Sequence, residues 1–187
     1  MTVAGLVLAA GAGRRFGGPK ALAELDGVRL VDRAVATLAD GGCEPVVVVA
    51  GAAPLQVSGA TVVENPGWDT GMGSSLRAGL AHLAGSPASA VVLLLVDTPW
   101  VGAGAVARLR AAHAAGTVAA QATYAAMPGH PVLLDRSVWD DVAALAVGDQ
   151  GARGWLRTHR DLVSPVPCDG TGDPRDVDRP DDLFARP

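Results

Sequence analysis

A glycine-rich segment with basic residues follows the first apolar run of the chain. It reads LAAGAGRRFGGPK over residues 8–20. Small residues and glycines let successive backbone amides turn toward one point and bind an anion, and Arg15 and Lys20 add positive charge there. Pro19 suits the first turn of a following helix, whose N-terminus also attracts anions. If the segment binds an anion, a triphosphate is the ligand that these features suit.

Three other interpretations of this segment compete with a triphosphate site. A Walker A loop requires GxxxxGK[ST], which the segment lacks. A dinucleotide fingerprint requires GxGxxG, but the third glycine falls one residue late, at Gly17, and the second strand ends in Ala50 and Gly51 without an acidic residue. The third interpretation is a tight turn with incidental basic residues, and the segment alone would favour it.

Two aspartates in distant parts of the chain are candidates for binding a divalent cation. Asp97 follows the apolar run of residues 90–96, and Asp178 lies in the segment DVDRP. Carboxylate oxygens are the ligands that Mg²⁺ prefers, and the ion also coordinates substrate phosphates. Asp97 has an alternative role as the cap of the next helix, with which Pro99 is consistent.

The apolar segments predict the elements that position these side chains. Four short runs without alternation indicate buried parallel strands: Val3–Leu8, Val46–Ala50, residues 61–63 and residues 90–96. Helical stripes between and after them contain Leu30, Ala34, Val35 and Leu38, then Leu76, Leu80 and Leu83, then Val106 and Leu109, then Val138, Val142 and Leu145. Ser137 with Asp140 resembles a capping box for the fourth helix. Residues 117–134, interrupted by Pro128 and Gly129, predict a hairpin, and residues 180–185 predict a short helix.

This alternation predicts an α/β protein with a Rossmann-like, open and mostly parallel sheet and helices on both faces. Ligands of such sheets bind at the carboxyl ends of the strands. The chain has 187 residues, of which 49% are hydrophobic, and we expect one domain over residues 1–187. The net charge of −4 without a basic cluster argues against nucleic acid as a partner.

The cysteines and the apolar runs bear on the cellular compartment. Cys43 and Cys168 lie far apart and outside any CxxC pair, which argues against a disulfide framework and a zinc site. No basic residue precedes the first apolar run, so a buried strand is favoured over a signal peptide. The run of residues 90–96 is too short to cross a bilayer. We expect a cytoplasmic protein with no membrane partner.

Six motifs in order resemble those of the MobA-like nucleotidyltransferases. The first segment is similar to the LAAGxxxRMGxxK signature, and residues 65–80 are similar to the NPxWxxGMxSSLRxGL segment of the molybdenum cofactor cytidylyltransferase branch. The other four are LLLVDTPWV, GHPVLL, GDQGAR and DVDRPDDL, at residues 93–101, 129–134, 148–153 and 176–183. The resemblance covers essentially the whole chain and implies a fold like that of the nucleotide-diphospho-sugar transferases.

The resemblance also implies roles for individual residues. The nucleotide would contact Leu8, Ala9, Ala10, Gly11, Gly13, Arg15, Lys20, Gly71, Ser74 and Ser75. Arg15, Lys20 and Asp97 would be catalytic, Mg²⁺ would bind Asp97 and Asp178, and the acceptor would contact His130, Asp149 and Arg153. Asp176 is the alternative to Asp178. Gly73 or Ser74 would in any case suit the N-cap of the following helix.

The motifs also bear on the two substrates. Cytidylyl-transferring relatives tend to carry LAAG where guanylyl-transferring relatives carry LAGG, so Ala10 favours CTP, and its methyl group leaves less room for a purine. The acceptor implied is molybdopterin. The chain departs from the family pattern at Phe16, Thr98 and Arg179, which leaves open a GTP- or UTP-using enzyme with another phosphorylated acceptor. A nucleotide-cofactor-binding oxidoreductase, like the family members called nicotine blue oxidoreductase, is the alternative from another class.

Overall fold

The computed structural model describes residues 1–184, in which seven strands form one sheet. The strand order is β5-β4-β1-β6-β8-β7-β9. The strands are β1 (Val3–Leu8), β4 (Val46–Ala50), β5 (Thr61–Glu64), β6 (Ala90–Leu95), β7 (Ala119–Tyr124), β8 (Met127–Asp135) and β9 (Val163–Pro167). A separate two-stranded hairpin consists of β2 (Glu24–Leu25) and β3 (Val28–Arg29).

The sheet is mostly parallel, and β8 alone among its strands runs against its neighbours. The four predicted strands β1, β4, β5 and β6 form one parallel group, with the central pair β1 and β6 in register from Val3 opposite Ala90 to Leu8 opposite Leu95. All six residues of β1 are buried, which explains why the run lacks alternation. The predicted fold class is confirmed.

Within residues 1–184, five α-helices cover the two faces of the sheet. They are α1 (Leu30–Asp40), α2 (Met72–Ala84), α3 (Ala103–Ala114), α4 (Trp139–Leu145) and α5 (Arg153–Thr158). Buried side chains of α1 and α3 pack on one face, and those of α2, α4 and α5 pack on the other. No helix within residues 1–184 is long and apolar enough to cross a membrane.

Three local predictions need correction. The capping box of Ser137 and Asp140 does not form, because the Asp135 side chain accepts from the Ser137 amide at 2.9 Å and α4 begins only at Trp139. Leu145 does not point inward but is 41% exposed in the last turn of α4. Gly71, not Gly73 or Ser74, is the N-cap of α2, and no side chain caps that helix.

Two further predictions are modified by tertiary contacts. The predicted hairpin is β7–β8, but it turns at Ala125 and Ala126, whose positive φ angles suit a two-residue turn, and not at Pro128 and Gly129. The Asp169 carboxylate holds that turn by accepting from the Ala125 amide at 2.7 Å. The predicted C-terminal helix is a 3₁₀ turn, Pro180–Leu183, and residue 185 lies outside the described residues.

Candidate active site

The glycine-rich segment after β1 closes on the carbonyl oxygen of Gly13. The amides of Phe16, Gly17 and Gly18 donate to this oxygen at 2.9, 2.9 and 3.2 Å. A Cβ atom on residue 13 would collide with the Gly18 carbonyl, and its φ is +59°, so only glycine fits. Within the described chain, the amides of residues 11–15 donate to no backbone carbonyl, and they are the ones that remain for an anion.

No α-helix follows this segment, which corrects the expectation built on Pro19. Pro19 precedes a three-residue 3₁₀ turn, Lys20–Leu22, and the chain then enters the β2–β3 hairpin. The helix N-terminus that lines the cleft beside this segment is that of α2, which begins at Met72. It contributes the positive end of a 13-residue helix dipole.

Lys20 joins two carboxylates that are far apart in the sequence, one in its middle and one near its C-terminus. Its Nζ atom donates to Asp97 Oδ2 at 3.1 Å and to Asp178 Oδ1 at 3.0 Å. Burial opposes the charged form of Lys20, but the charges and hydrogen bonds of the two aspartates outweigh it and raise its pKa above the ordinary value. Lys20 is therefore a permanent cation whose side chain is only 15% exposed.

The C-terminal segment is anchored so that Asp178 faces this lysine. Val177 is buried, and its amide donates to the Asp97 carbonyl at 2.8 Å. The Asp182 side chain accepts from the Asp178 amide and fixes the next turn. Asp176 is exposed on the other side of Val177. Of the two candidates for the second metal ligand, the structure places Asp178 beside Lys20 and Asp97, and Asp176 lies outside this cluster.

The donor atoms around Asp97 fit a hard cation that keeps water or phosphate as further ligands. Asp97 Oδ1 is buried and has no hydrogen-bond partner among the described residues. Asp97 does not cap α3, whose N-cap is Gly102. No group of three or more His, Cys, Asp or Glu side chains within residues 1–184 could hold a metal. Two carboxylates without a complete protein cage suit Mg²⁺ bound together with phosphates.

Arg15 lies at the rim of this cluster. Its Nη1 atom is 3.7 Å from Asp178 Oδ2, and its side chain is 81% exposed. At that exposure the pair itself adds little stability. Arg15 is thus free to reorient toward a ligand, and Arg14, which the sequence did not single out, lines the cleft beside it.

A cleft of about 350 Å³ opens between the glycine-rich segment and the start of α2. Its walls include the predicted residues Leu8, Ala10, Gly11, Gly13, Lys20, Gly71, Ser75 and Asp97, and also Arg14, Trp68, Asp69, Met72 and Asp149. Ala9 instead packs in the core on the opposite face of the sheet. The Ser74 hydroxyl is 2.9 Å from both the Gly67 and the Gly71 carbonyls, so it holds the loop rather than facing the cleft.

A smaller cavity of about 110 Å³ adjoins the cleft and shares Leu8, Met72 and Leu95 with it. His130 and Arg153 line this cavity, but Asp149, predicted to act with them, lines the first cleft instead. The separation arises because residues 146–151 pack on the start of α2 through Gly71 and Gly73, which have no room for side chains.

His130 is held neutral inside the smaller cavity. Burial lowers its pKa to about 4, with Asp97 opposing the shift and Arg153 adding to it. Its Nδ1 atom is buried without a hydrogen-bond partner among the described residues. Gln121 and Gln150 supply the other polar groups of the lining, and the side chains that line the cavity include no carboxylate. The Arg153 guanidinium suits an anionic group of a ligand, and His130 Nδ1 can form one further hydrogen bond with it.

A Ser-His-Asp cluster that the sequence did not reveal lies at the opposite end of the sheet. His113 Nε2 is 3.3 Å from Ser89 Oγ, and His113 Nδ1 is 3.7 Å from Asp135 Oδ2. The Ser89 hydroxyl donates to the Thr2 carbonyl at 3.1 Å, and no cavity described above includes these residues. The cluster joins the chain start, β6, α3 and β8, and we assign it a structural role.

Comparison with known proteins defines the class. Residues 5–163 match the MobA-like NTP transferase domain. The chain is 36% identical to nicotine blue oxidoreductase of Paenarthrobacter nicotinovorans, over 97% of this chain and 95% of that protein. It is 38% identical to molybdenum cofactor guanylyltransferase of Rhodobacter capsulatus, over 60% of each.

The chain is also similar to a solved structure over nearly its whole length. Rv0371c from Mycobacterium tuberculosis H37Rv aligns with a TM-score of 0.82 and 29% identity, covering 98% of this chain and 96% of that one. The same protein has been solved as a complex with manganese, which aligns with a TM-score of 0.77. The chain belongs to the MobA-like NTP transferase family and is an enzyme of the nucleotidyltransferase type.

Proposed function

We propose that this enzyme transfers CMP from CTP to a small phosphorylated acceptor of the molybdopterin type, with Mg²⁺ as cofactor and pyrophosphate as the second product. The observation that carries the proposal is the contact of Lys20 with both Asp97 and Asp178 beside the glycine-rich segment. A cation between two carboxylates at the carboxyl edge of the sheet suits the handling of a metal-bound triphosphate. The manganese complex of Rv0371c adds support for a divalent ion.

The chemistry needs positioned charge more than a protein nucleophile. A phosphate oxygen of the acceptor attacks the α-phosphorus of CTP, and the bond from that phosphorus to the bridging oxygen of the β-phosphate breaks. The attacking phosphate is already ionised at neutral pH, so no general base is required. Lys20 and Arg15 offset the negative charge that gathers on the leaving pyrophosphate. Mg²⁺, when bound to Asp97 and Asp178, supplies further charge neutralisation and aligns the phosphates.

The two adjoining cavities suit two substrates. The cleft beside the glycine-rich segment is proposed to take the nucleotide, and the smaller cavity with His130 and Arg153 to take part of the acceptor. Arg153 can pair with an acceptor phosphate in a bidentate manner. Because Leu8, Met72 and Leu95 line both cavities, the two substrates would meet beside Asp97, which itself lines the cleft.

CTP is favoured by the crowding around Ala10. Ala10 lines the cleft, and the position that a Cβ atom on Gly51 would occupy is 2.8 Å from the Ala10 methyl carbon and 2.5 Å from the Trp68 Cβ atom. The ends of β1 and β4 are therefore tightly packed under Trp68. This packing limits the room for a purine.

A redox function is the second candidate, and the relation to nicotine blue oxidoreductase over nearly the whole of both chains favours it. Against it, the residue after β4 is Gly51, where a dinucleotide fingerprint wants an acid. Trp68 leaves no room there for any side chain. The ribose contact of a typical dinucleotide site therefore has no counterpart at this position of the described chain.

Turnover assays separate the two candidates. We expect pyrophosphate release when the protein is given CTP, Mg²⁺ and molybdopterin, and no release without the acceptor. NADPH oxidation by the same preparation is the parallel assay. Oxidation of NADPH without any pyrophosphate release would reject the transferase proposal for this chain and establish the redox alternative.

A further inference from the structure

The nucleotide cleft runs along the carboxyl ends of four neighbouring strands. Asp97 follows β6 at one end, the glycine-rich segment follows β1, and Trp68 and Asp69 follow β5 at the other end. Adjacent strands lie about 4.8 Å apart, so the three spacings from β6 to β5 span roughly 14 Å. With the phosphates at the β1 and β6 end, the nucleoside extends toward Asp69.

A closely hydrogen-bonded turn holds Asp69 at that end. The Trp68 amide donates to the Asn65 carbonyl, and the Gly71 amide donates to the Trp68 carbonyl, both at 3.2 Å. The Asn65 side chain in turn donates to Ser74 Oγ at 2.9 Å and accepts from the Gly67 amide. Asp69 is therefore exposed on a turn whose backbone is fixed, which sets the direction of its Cα–Cβ bond.

The Asp69 carboxylate differs from the one at the opposite end of the cleft. Asp97 contacts Lys20, whereas Asp69 has no hydrogen bond or ion pair with any described residue. An unpaired carboxylate repels a polyanionic ligand unless the ligand brings a hydrogen-bond donor to it. At the nucleoside end, the exocyclic amino group of a base is such a donor.

We propose that Asp69 selects the base by accepting a hydrogen bond from the N4 amino group of cytosine. The inference rests on the proposed function and adds a residue to it. Uracil carries a carbonyl oxygen where cytosine carries N4, so UTP would bring an acceptor toward a negative charge. Packing around Ala10 and Trp68 then discriminates against purines, while Asp69 discriminates against UTP.

The test compares the binding of CTP and UTP, each with Mg²⁺, to the wild-type protein and to Asp69→Asn. A carboxylate that accepts a hydrogen bond from a base amino group discriminates by about 1–3 kcal/mol, so the wild type should bind CTP about 5- to 150-fold more tightly than UTP. The side-chain amide introduced by the substitution can accept from cytosine or donate to uracil. The preference should therefore fall to within about threefold, because CTP binds less tightly and UTP more tightly.

Asp141→Asn is the matched control, since Asp141 is exposed in the first turn of α4, outside the cleft, and the change removes the same charge. It should leave the ratio of CTP to UTP affinity unchanged. A wild-type protein that binds both nucleotides equally, or an unchanged ratio in Asp69→Asn, would overturn the inference. So would an Asp69→Asn effect that disappears with dCTP, because it would assign Asp69 to the ribose. Absence of magnesium-dependent binding of every nucleoside triphosphate would instead reject the proposed function itself.

Discussion

Polar side chains gather at both ends of the main sheet, but they are partnered differently. At the carboxyl edge, Asp97 Oδ1 and His130 Nδ1 are buried without partners among the described residues. At the opposite edge, His113 contacts the Ser89 hydroxyl and the Thr117 carbonyl and pairs with Asp135. Buried polar groups normally have partners, so unused hydrogen-bonding capacity beside a cleft indicates a ligand site. Residue types alone do not distinguish the two edges, because each carries a histidine and an aspartate.

The largest expected effect is at the carboxyl edge. Asp97→Ala should lower the rate of nucleotidyl transfer by about two to three orders of magnitude, the scale of losing one main stabiliser of transition-state charge. The measurement is steady-state pyrophosphate release. Asp135→Ala removes a carboxylate at the other edge and serves as the control. Equal losses of rate in the two variants would contradict the assignment of the active site to the carboxyl edge alone.

His130 should make stability depend on pH. Its pKa of about 4 in the folded protein lies below the ordinary value of 6.5, so the unfolded chain binds the proton more readily. The stabilisation is complete above pH 6.5 and declines as the pH falls toward 4. Between about pH 7.5 and about pH 5 the wild type should lose about 2 kcal/mol more than His130→Gln in urea unfolding. Equal losses would show that His130 is not buried as a neutral side chain.

A substitution at the opposite edge of the sheet should lower the free energy of unfolding but not the rate of nucleotidyl transfer. His113→Ala leaves the Thr117 carbonyl without its imidazole partner and opens a void at a buried position, and we expect a loss of about 1.5 kcal/mol in the free energy of unfolding. Urea unfolding gives this value, and pyrophosphate release should stay at the wild-type rate. A fall in rate without a fall in stability would mean that this cluster takes part in the chemistry.

The smallest expected effect is on the Mg²⁺ requirement, and it distinguishes Asp178 from its neighbour Asp176. Asp178→Ala removes a partner of Lys20 and a proposed metal ligand, and it should raise the Mg²⁺ concentration needed for half-maximal rate by about tenfold. Asp176→Ala is the matched change two residues earlier, on the exposed side of Val177, and should leave that concentration unchanged. The opposite order would move the second metal ligand to Asp176.

The fold and the charged centre could be predicted because their signals are local. Continuous buried runs specify β1, β4 and β6, and the end of the run at Val96 places Asp97 at the carboxyl edge, whereas β5 at the margin of the sheet is only partly buried. Two features could not be predicted, because they depend on contacts between distant segments. These are the insertion of β8 between β6 and β7, and the packing of residues 146–151 on α2, which directs Asp149 into the nucleotide cleft.

The central claim is that a metal-bound nucleoside triphosphate, preferably CTP, occupies the cleft beside Lys20 and Asp97. Thermal unfolding of the wild type and of Asp97→Ala, with CTP, GTP, UTP or NADPH and with or without Mg²⁺, tests it most directly. At about 100 times its dissociation constant a ligand adds about 2.7 kcal/mol of stability. We predict a shift for the wild type that is largest with CTP, requires Mg²⁺ and is lost in Asp97→Ala. A shift with NADPH alone, or a CTP shift that persists without Mg²⁺ and in Asp97→Ala, would contradict the account.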